Sequence, residues 1–198
     1  MDPLSQGIVG SVAAQQKSSK EKILLITIIG FLSGMAPDLD VFIRSSHDPL
    51  LAIEFHRQFT HSLIFIPFGG FICGTFFYHV LTKRKGMSIK ETYFYCTLAY
   101  ASHGILDACT SYGTQLFWPF NDFRVAWNTI SIIDPIFTIT LFTLVFLSIF
   151  RRKTIFAKIA LIWVITYMSI GLIQHNRAEK VGLLNADSRG HIPARIVV

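Results

Sequence analysis

Five long, predominantly apolar stretches set the terms for this chain. They are ILLITIIGFLSGMAPDLDVFI (about 23–43), HSLIFIPFGGFICGTFFYHVL (about 61–81), TYFYCTLAYASHGILDACTSY (about 92–112), ISIIDPIFTITLFTLVFLSIF (about 130–150) and FAKIALIWVITYMSIGLIQ (about 156–174). An α-helix needs about 20 such residues to cross about 30 Å of hydrocarbon. Within lipid every backbone polar group must be satisfied internally, so each stretch reads as a helix. Only 15% of the residues are charged, against about 25% in a soluble domain. The sequence therefore predicts a single all-α membrane domain over residues 1–198, with five transmembrane helices. Ahead of them, MDPLSQGIVGSVAAQQK lacks a basic start and has only a short apolar run. It predicts a short retained helix over 3–16 rather than a signal peptide. Residues 175–198 read as a polar tail.

The basic residues alternate along the chain. Lys17, Lys20 and Lys22 precede the first stretch; Lys83, Arg84, Lys85 and Lys90 separate the second from the third; Arg151, Arg152, Lys153 and Lys158 follow the fourth. The intervening loops carry only Arg44, Arg57 and Arg124. The positive-inside rule assigns the first set to the cytoplasm and the loops around 44–60 and 113–129 to the outside. The tail, with Arg177, Lys180, Arg189 and Arg195, then falls outside, against the trend. The positive net charge follows topology, so no nucleic-acid partner is expected. Cys73, Cys96 and Cys109 are scattered through apolar segments without a C-x-x-C pair. They read as small buried hydrophobes.

Against this background the ionisable groups stand out, because a bilayer makes them expensive. At about 1.5 Å per residue, Asp38 lies about 22 Å from the inner end of its segment, and His103 and Asp107 about 17 and 22 Å along theirs. His61 opens the second stretch, and Asp134 sits about one turn inside the fourth. All fall in the outer third of the bundle, with Asp40 and His56 beside them and His175 as a further candidate. His103 and Asp107, spaced i, i+4, share a helix face and can chelate one ion; a hydrogen-bonded packing pair has the same spacing. Asp38 and Asp40, spaced i, i+2, cannot share a face of a regular helix. Gly34 and Pro37 predict that the helix loosens before them, which lipid tolerates where backbone lines a polar cavity. Two carboxylates so close need a cation or a proton between them, or else mark a helix end in interfacial water. Thr60 or Ser62 is expected to cap the second helix. Asp134, preceding Pro135, suits a helix start as well as a ligand.

A mixed set of imidazoles and carboxylates suits a divalent ion, Zn first, with Mn or Fe as alternatives. The donors outnumber what one tetrahedral ion needs, so one or two ions fit. The expected ligands are Asp38, Asp40, His56, His61, His103 and Asp107, with Asp134 as general base. Arg57, Arg124 and Gln115 are expected substrate contacts. The aromatic stretch around Tyr112 and Trp118 reads as an interfacial belt or a lid over the site.

Several of these motifs resemble a known family. MDPLSQ at 1–6, PDLD at 37–40, FHRQFTHS at 55–62, HGILDACTSYGTQLFWPF at 103–120 and SIIDP at 131–135 are similar to those of the YdjM-like bacterial inner-membrane proteins, regarded as metal-dependent hydrolases. The resemblance reaches about residue 175. It implies a helical, membrane-embedded, metal-dependent protein whose site is the acidic pair, the histidines of FHRQFTHS and the His103/Asp107 pair. Many members carry Thr-His where this chain has Ser5-Gln6, so Gln6 is expected to hydrogen-bond a ligand or water. The combined expectation is hydrolysis of an amphiphilic ester or phosphoester, a small molecule or lipid, near the outer leaflet of the bacterial inner membrane. The alternatives are a transporter or ion-handling protein, and a non-catalytic scaffold stabilised by metal. Oligomeric state is left open.

Overall fold

A computed structural model of the chain describes residues 1–44, 47–48 and 55–190. Parts of the loop after the first long stretch and the end of the tail, including Arg195, lie outside the described residues. The described residues form an all-helical bundle with no β-strand and one isolated bridge, between Thr114 and Val125. In chain order the helices are α1 (Pro3–Gln15), α2 (Ile23–Met35), α3 (Ile66–Phe77), α4 (Ile89–Ala108), α5 (Pro135–Arg151) and α6 (Ile155–Ser188).

Local chemistry explains where these helices start and stop. α1 begins behind Asp2, whose side chain accepts from the Ser5 N–H, with Pro3 in the first turn. α4 begins in a full capping box between Ser88 and Glu91. α3 runs through a π turn and a 3₁₀ turn to Lys85 and stops at Gly86, whose φ is +71°. α2 does not stop at Met35. It tightens into a 3₁₀ turn over Ala36–Phe42, because Pro37 has no N–H to continue the α ladder. That is the loosening expected from Gly34 and Pro37. Neither Thr60 nor Ser62 caps α3. The chain before it makes two 3₁₀ turns, Phe59–His61 and Leu63–Phe65, and the residue before the helix is Phe65.

Among the described residues, three continuous helical spans are long and apolar enough to cross a membrane: Ile23–Phe42, Leu63–Lys85 and Ile155–Ser188. α5 is apolar but has 17 residues. α4 has the length, but it carries Lys90, Glu91, His103 and Asp107, which lower its hydropathy. It packs against α1, α2 and α3 at once, so its polar face meets protein. α6 continues through residue 188, beyond the boundary expected at 174.

α1 is the internal element. Ten of its thirteen residues are buried, among them Ser5, Gln6, Ser11 and Gln15. It reaches α2 through glycines: a Cβ on Gly10 would lie 2.6 Å from the Gly30 carbonyl oxygen and 2.8 Å from the Gly34 Cα. Small residues bring these two backbones together where lipid offers no hydrophobic drive. The polar groups of α1 find partners in that contact, Gln15 Nε2 on Thr27 Oγ1 at 2.6 Å and Ser11 on the Thr27 carbonyl at 3.2 Å. By contrast, α3, α5 and α6 present Phe68, Phe71, Phe142, Ile162 and similar residues outward, as lipid-facing helices do.

Candidate metal centre

Four side chains from three segments converge beside the 3₁₀ end of α2. They are Asp38, His61, His103 and Asp107, and one donor atom from each lies within 4.8 Å of the others. Asp38 Oδ1 is 3.5 Å from His61 Nε2 and 3.3 Å from His103 Nε2. Asp107 Oδ2 is 3.4 Å and 3.7 Å from the same two nitrogens, which are 2.9 Å apart. Four tetrahedral ligands at about 2.0–2.1 Å from an ion stand about 3.3–3.4 Å from one another. The observed separations bracket that value.

The surrounding hydrogen bonds prepare the two imidazoles as ligands. His103 Nδ1 donates to the Gly34 carbonyl at 2.6 Å. His61 Nδ1 lies 2.9 Å from Thr60 Oγ1, whose own proton goes to Asp40 Oδ2 at 2.9 Å. The threonine oxygen therefore accepts, and His61 Nδ1 donates. With both Nδ1 atoms protonated, both neutral rings turn a bare Nε2 lone pair inward. Two lone pairs 2.9 Å apart repel unless a cation or proton lies between them. Asp107 Oδ2 is buried without a hydrogen-bond partner and ion-pairs with Arg57 Nε at 3.1 Å. Its other oxygen accepts from Gln6 Nε2 at 2.7 Å and contacts the Met1 amino group. Gln6 thus hydrogen-bonds one of the four converging residues.

A close approach of backbones makes this convergence possible. Gly104 follows His103 on α4, and a Cβ there would run into the His61 carbonyl. The Phe59–His61 turn is also tied to α4 by Tyr100 Oη donating to the Thr60 carbonyl at 2.8 Å.

The remaining expected residues separate from this group. Asp40 is buried and points away from it, accepting from the Arg57 N–H at 3.0 Å, from Thr60, and from His56 Nδ1 at 2.8 Å. It is an orienting carboxylate behind His61 and His56. His56 is a quarter exposed, and its ring centroid stands 6.0 Å from that of His61. Asp134 caps α5, with one oxygen on the Phe137 N–H at 3.1 Å and the other on Tyr167 Oη at 2.7 Å. Arg57 sits in the left-handed region with φ +63°. Its carbonyl accepts from the Gln115 N–H at 3.1 Å and from Thr114 Oγ1 at 3.0 Å. Gln115 thus touches the site through its backbone. Arg124 donates to the His56 carbonyl at 3.1 Å. The guanidiniums of Arg57 and Arg124 both stack on Tyr112, at 4.7 and 5.3 Å from its ring centroid. His175, on α6, is outside the converging group.

Thr60 and Gly104 shape this geometry, although motif spacing did not single them out for the site. Asp40→Asn is expected to weaken metal binding 10–100-fold, the usual effect of losing an outer partner of a ligand histidine. Titration of the purified variant with zinc against a competing chelator measures it; an unchanged affinity would remove Asp40 from this role.

No curated protein and no solved structure gives a significant match to the chain. Over residues 1–178 it matches the family model described as YdjM inner membrane protein, and it belongs to that family.

Proposed function

We propose that the protein is a metal-dependent hydrolase of the inner membrane, acting near the outer leaflet on an amphiphilic ester or phosphoester. The observation that carries this reading is the four-donor group opening, through Asp38, onto a cavity of about 960 Å³ lined also by His56 and Arg57. Asp38 is 21% exposed, while the other three side chains are buried. His61, His103, Asp38 and Asp107 would hold one divalent ion, zinc first. Such an ion lowers the pKa of a bound water toward about 7 and polarises a carbonyl or phosphoryl oxygen. The chain supplies the rest. Asp40 fixes the His56 ring through Nδ1, which leaves Nε2 to exchange a proton with substrate or water. Arg57 offers a guanidinium to a negative oxygen. Asp134 is left out of this proposal, since its oxygens are used by the cap and Tyr167.

The first test is metal content of the detergent-purified protein, followed by hydrolysis of lipid and generic phosphoester substrates. His56→Gln should retain metal and lose at least about 100-fold in turnover, within the usual range for a general acid or base. A variant that turns over normally would exclude this role. One observation favours a second reading. Four protein donors can close a tetrahedron, as in structural zinc sites, whereas catalytic sites usually keep a position for water. A metal-stabilised scaffold would bind the ion and show no turnover with any substrate.

The orientation rests on the basic asymmetry. Lys22 pairs with Glu91 at 3.3 Å at one end of the bundle, and the His/Asp group lies at the opposite end of α2 and α4. In a background lacking Cys73, Cys96 and Cys109, Asn121→Cys should react with a membrane-impermeant thiol reagent in intact cells. Lys85→Cys should not, and the reverse pattern would invert the topology.

A further inference from the structure

We infer that the substrate is a lipid bearing a phosphate ester, with one acyl chain between α2 and α3 and its phosphate at Arg57. This rests on the hydrolytic reading of the site and narrows it to a substrate class.

The cavity volume of about 960 Å³ is at the upper end of the roughly 300–1,000 Å³ typical of ligand sites. Leu32 and Met35 of α2 and Ile72, Phe76 and Phe77 of α3 form its walls. Both helices belong to spans long and apolar enough to cross a membrane, so the space between them opens at hydrocarbon depth. An alkyl chain is the occupant that meets only apolar surface there. The ionisable side chains of the lining are Asp38, His56 and Arg57, which hydrogen bonds and ion pairs tie to the His/Asp group and to Asp40. The cavity thus has the polarity of a lipid, a mostly apolar lining with a few charged groups beside the candidate metal centre.

Arg57 is 6% exposed and still lines the cavity. Its left-handed backbone is held by three hydrogen bonds, from its N–H to Asp40 and to its carbonyl from Gln115 and Thr114. Strained backbone held this firmly by its neighbours is characteristic of ligand sites. Arg57 Nε ion-pairs with Asp107 Oδ2 at 3.1 Å, while Nη1 makes one long bond to Thr110 at 3.4 Å. Arg124 shares the Tyr112 ring with it, and Arg124 Nη1 is buried without a partner. Three carboxylates, Asp38, Asp40 and Asp107, would face the Arg57 guanidinium, the Met1 amino group and a divalent ion. The filled site keeps one net positive charge, which selects an anionic group over a neutral ester. A guanidinium fork matches phosphate oxygens in pairs. Hydrolysis of such a lipid adds water across a phosphorus–oxygen bond: the water oxygen joins phosphorus, and a proton goes to the departing oxygen.

The test is binding of an acyl-labelled lysophosphatidate to zinc-loaded protein in detergent, with metal content measured on the same samples. Unlabelled lysophosphatidate should compete at least 10-fold better than monoacylglycerol of the same chain, and inorganic phosphate at least 100-fold worse. Ile72→Trp, which fills the cavity, should weaken lysophosphatidate at least 10-fold with metal unchanged. Arg57→Gln should bring lysophosphatidate and monoacylglycerol within threefold of each other. Because Arg57 is buried, Arg57→Lys is run beside it and should keep the charge but lose at least threefold of the preference. Equal competition by monoacylglycerol, competition by phosphate alone, or an unaffected Ile72→Trp would each overturn the inference. Full metal occupancy with no phosphate preference would overturn the lipid assignment and spare the metal centre. A metal-free protein that still prefers lysophosphatidate would do the opposite.

Discussion

Asp38→Asn is expected to empty the candidate metal centre while leaving the protein folded. Of the four converging residues, Asp38 has the least structural duty. Its side chain is partly exposed and faces His61 Nε2 and His103 Nε2. Asp107, by comparison, also holds Gln6, Arg57 and the Met1 amino group. Asn keeps the shape of Asp38 and removes the charge that a divalent ion needs beside two neutral imidazoles. The expected loss of zinc affinity is at least about 100-fold, at or beyond the upper end of the 10–100-fold range for outer partners. Elemental analysis after dialysis against a zinc buffer should give roughly one ion per wild-type chain and almost none in the variant. Undiminished zinc in a monodisperse variant would exclude Asp38 as a ligand.

The experiment also separates the two ways of relieving the opposed lone pairs. If a proton rather than a metal lies between His61 and His103, wild type and variant will both be metal-free after the same dialysis. The hydrogen bonds from His103 to Gly34 and from His61 to Thr60 are those of ligand histidines, in which the outer nitrogen is engaged and the inner one is presented.

Much of this was readable before the fold was known, because the bilayer penalises charge. The i, i+4 pair His103/Asp107 and the depth of Asp38 followed from helical rise alone, and the break at Gly34–Pro37 from the missing proline N–H. Division of labour within the motifs was not readable. The i, i+2 spacing says that Asp38 and Asp40 diverge, but not which one faces the centre. The 3₁₀ turn decides that, leaving Asp40 to accept from His56, Arg57 and Thr60. His56 and His61 look equivalent in FHRQFTHS, yet the left-handed backbone at Arg57 and the following 3₁₀ turn give them different neighbours. Asp134 carried two readings, ligand and helix start, and its two hydrogen bonds are those of the second. Gly104 carries no signal of its own in the sequence, since its role comes from the His61 carbonyl packed against it. The length of α6 was hidden because its last turns are polar and solvent-like, which hydropathy cannot tell from a tail.

Chelation should destabilise the wild-type protein and scarcely affect Asp38→Asn. The candidate centre joins segments far apart in sequence: the end of α2, the turn before α3, and α4. An ion there binds only the folded arrangement, so its binding free energy adds to stability. At about 100 times the dissociation constant this amounts to about 2.7 kcal/mol. For a chain of this length each kcal/mol moves Tm by about 2–4 °C, so removing the ion should lower Tm by about 5–11 °C. Without the ion, Asp38 faces paired imidazole lone pairs with no cation of its own, since Arg57 and the Met1 amino group are both engaged on Asp107. Asp38→Asn removes that charge and has little ion to lose. Thermal unfolding in detergent, with and without chelator and with metal content measured on each sample, gives the comparison. Equal Tm values for metal-bearing and demonstrably emptied wild type would mean that the four residues knit the helices without an ion, leaving His61 and His103 to share a proton between Asp38 and Asp107.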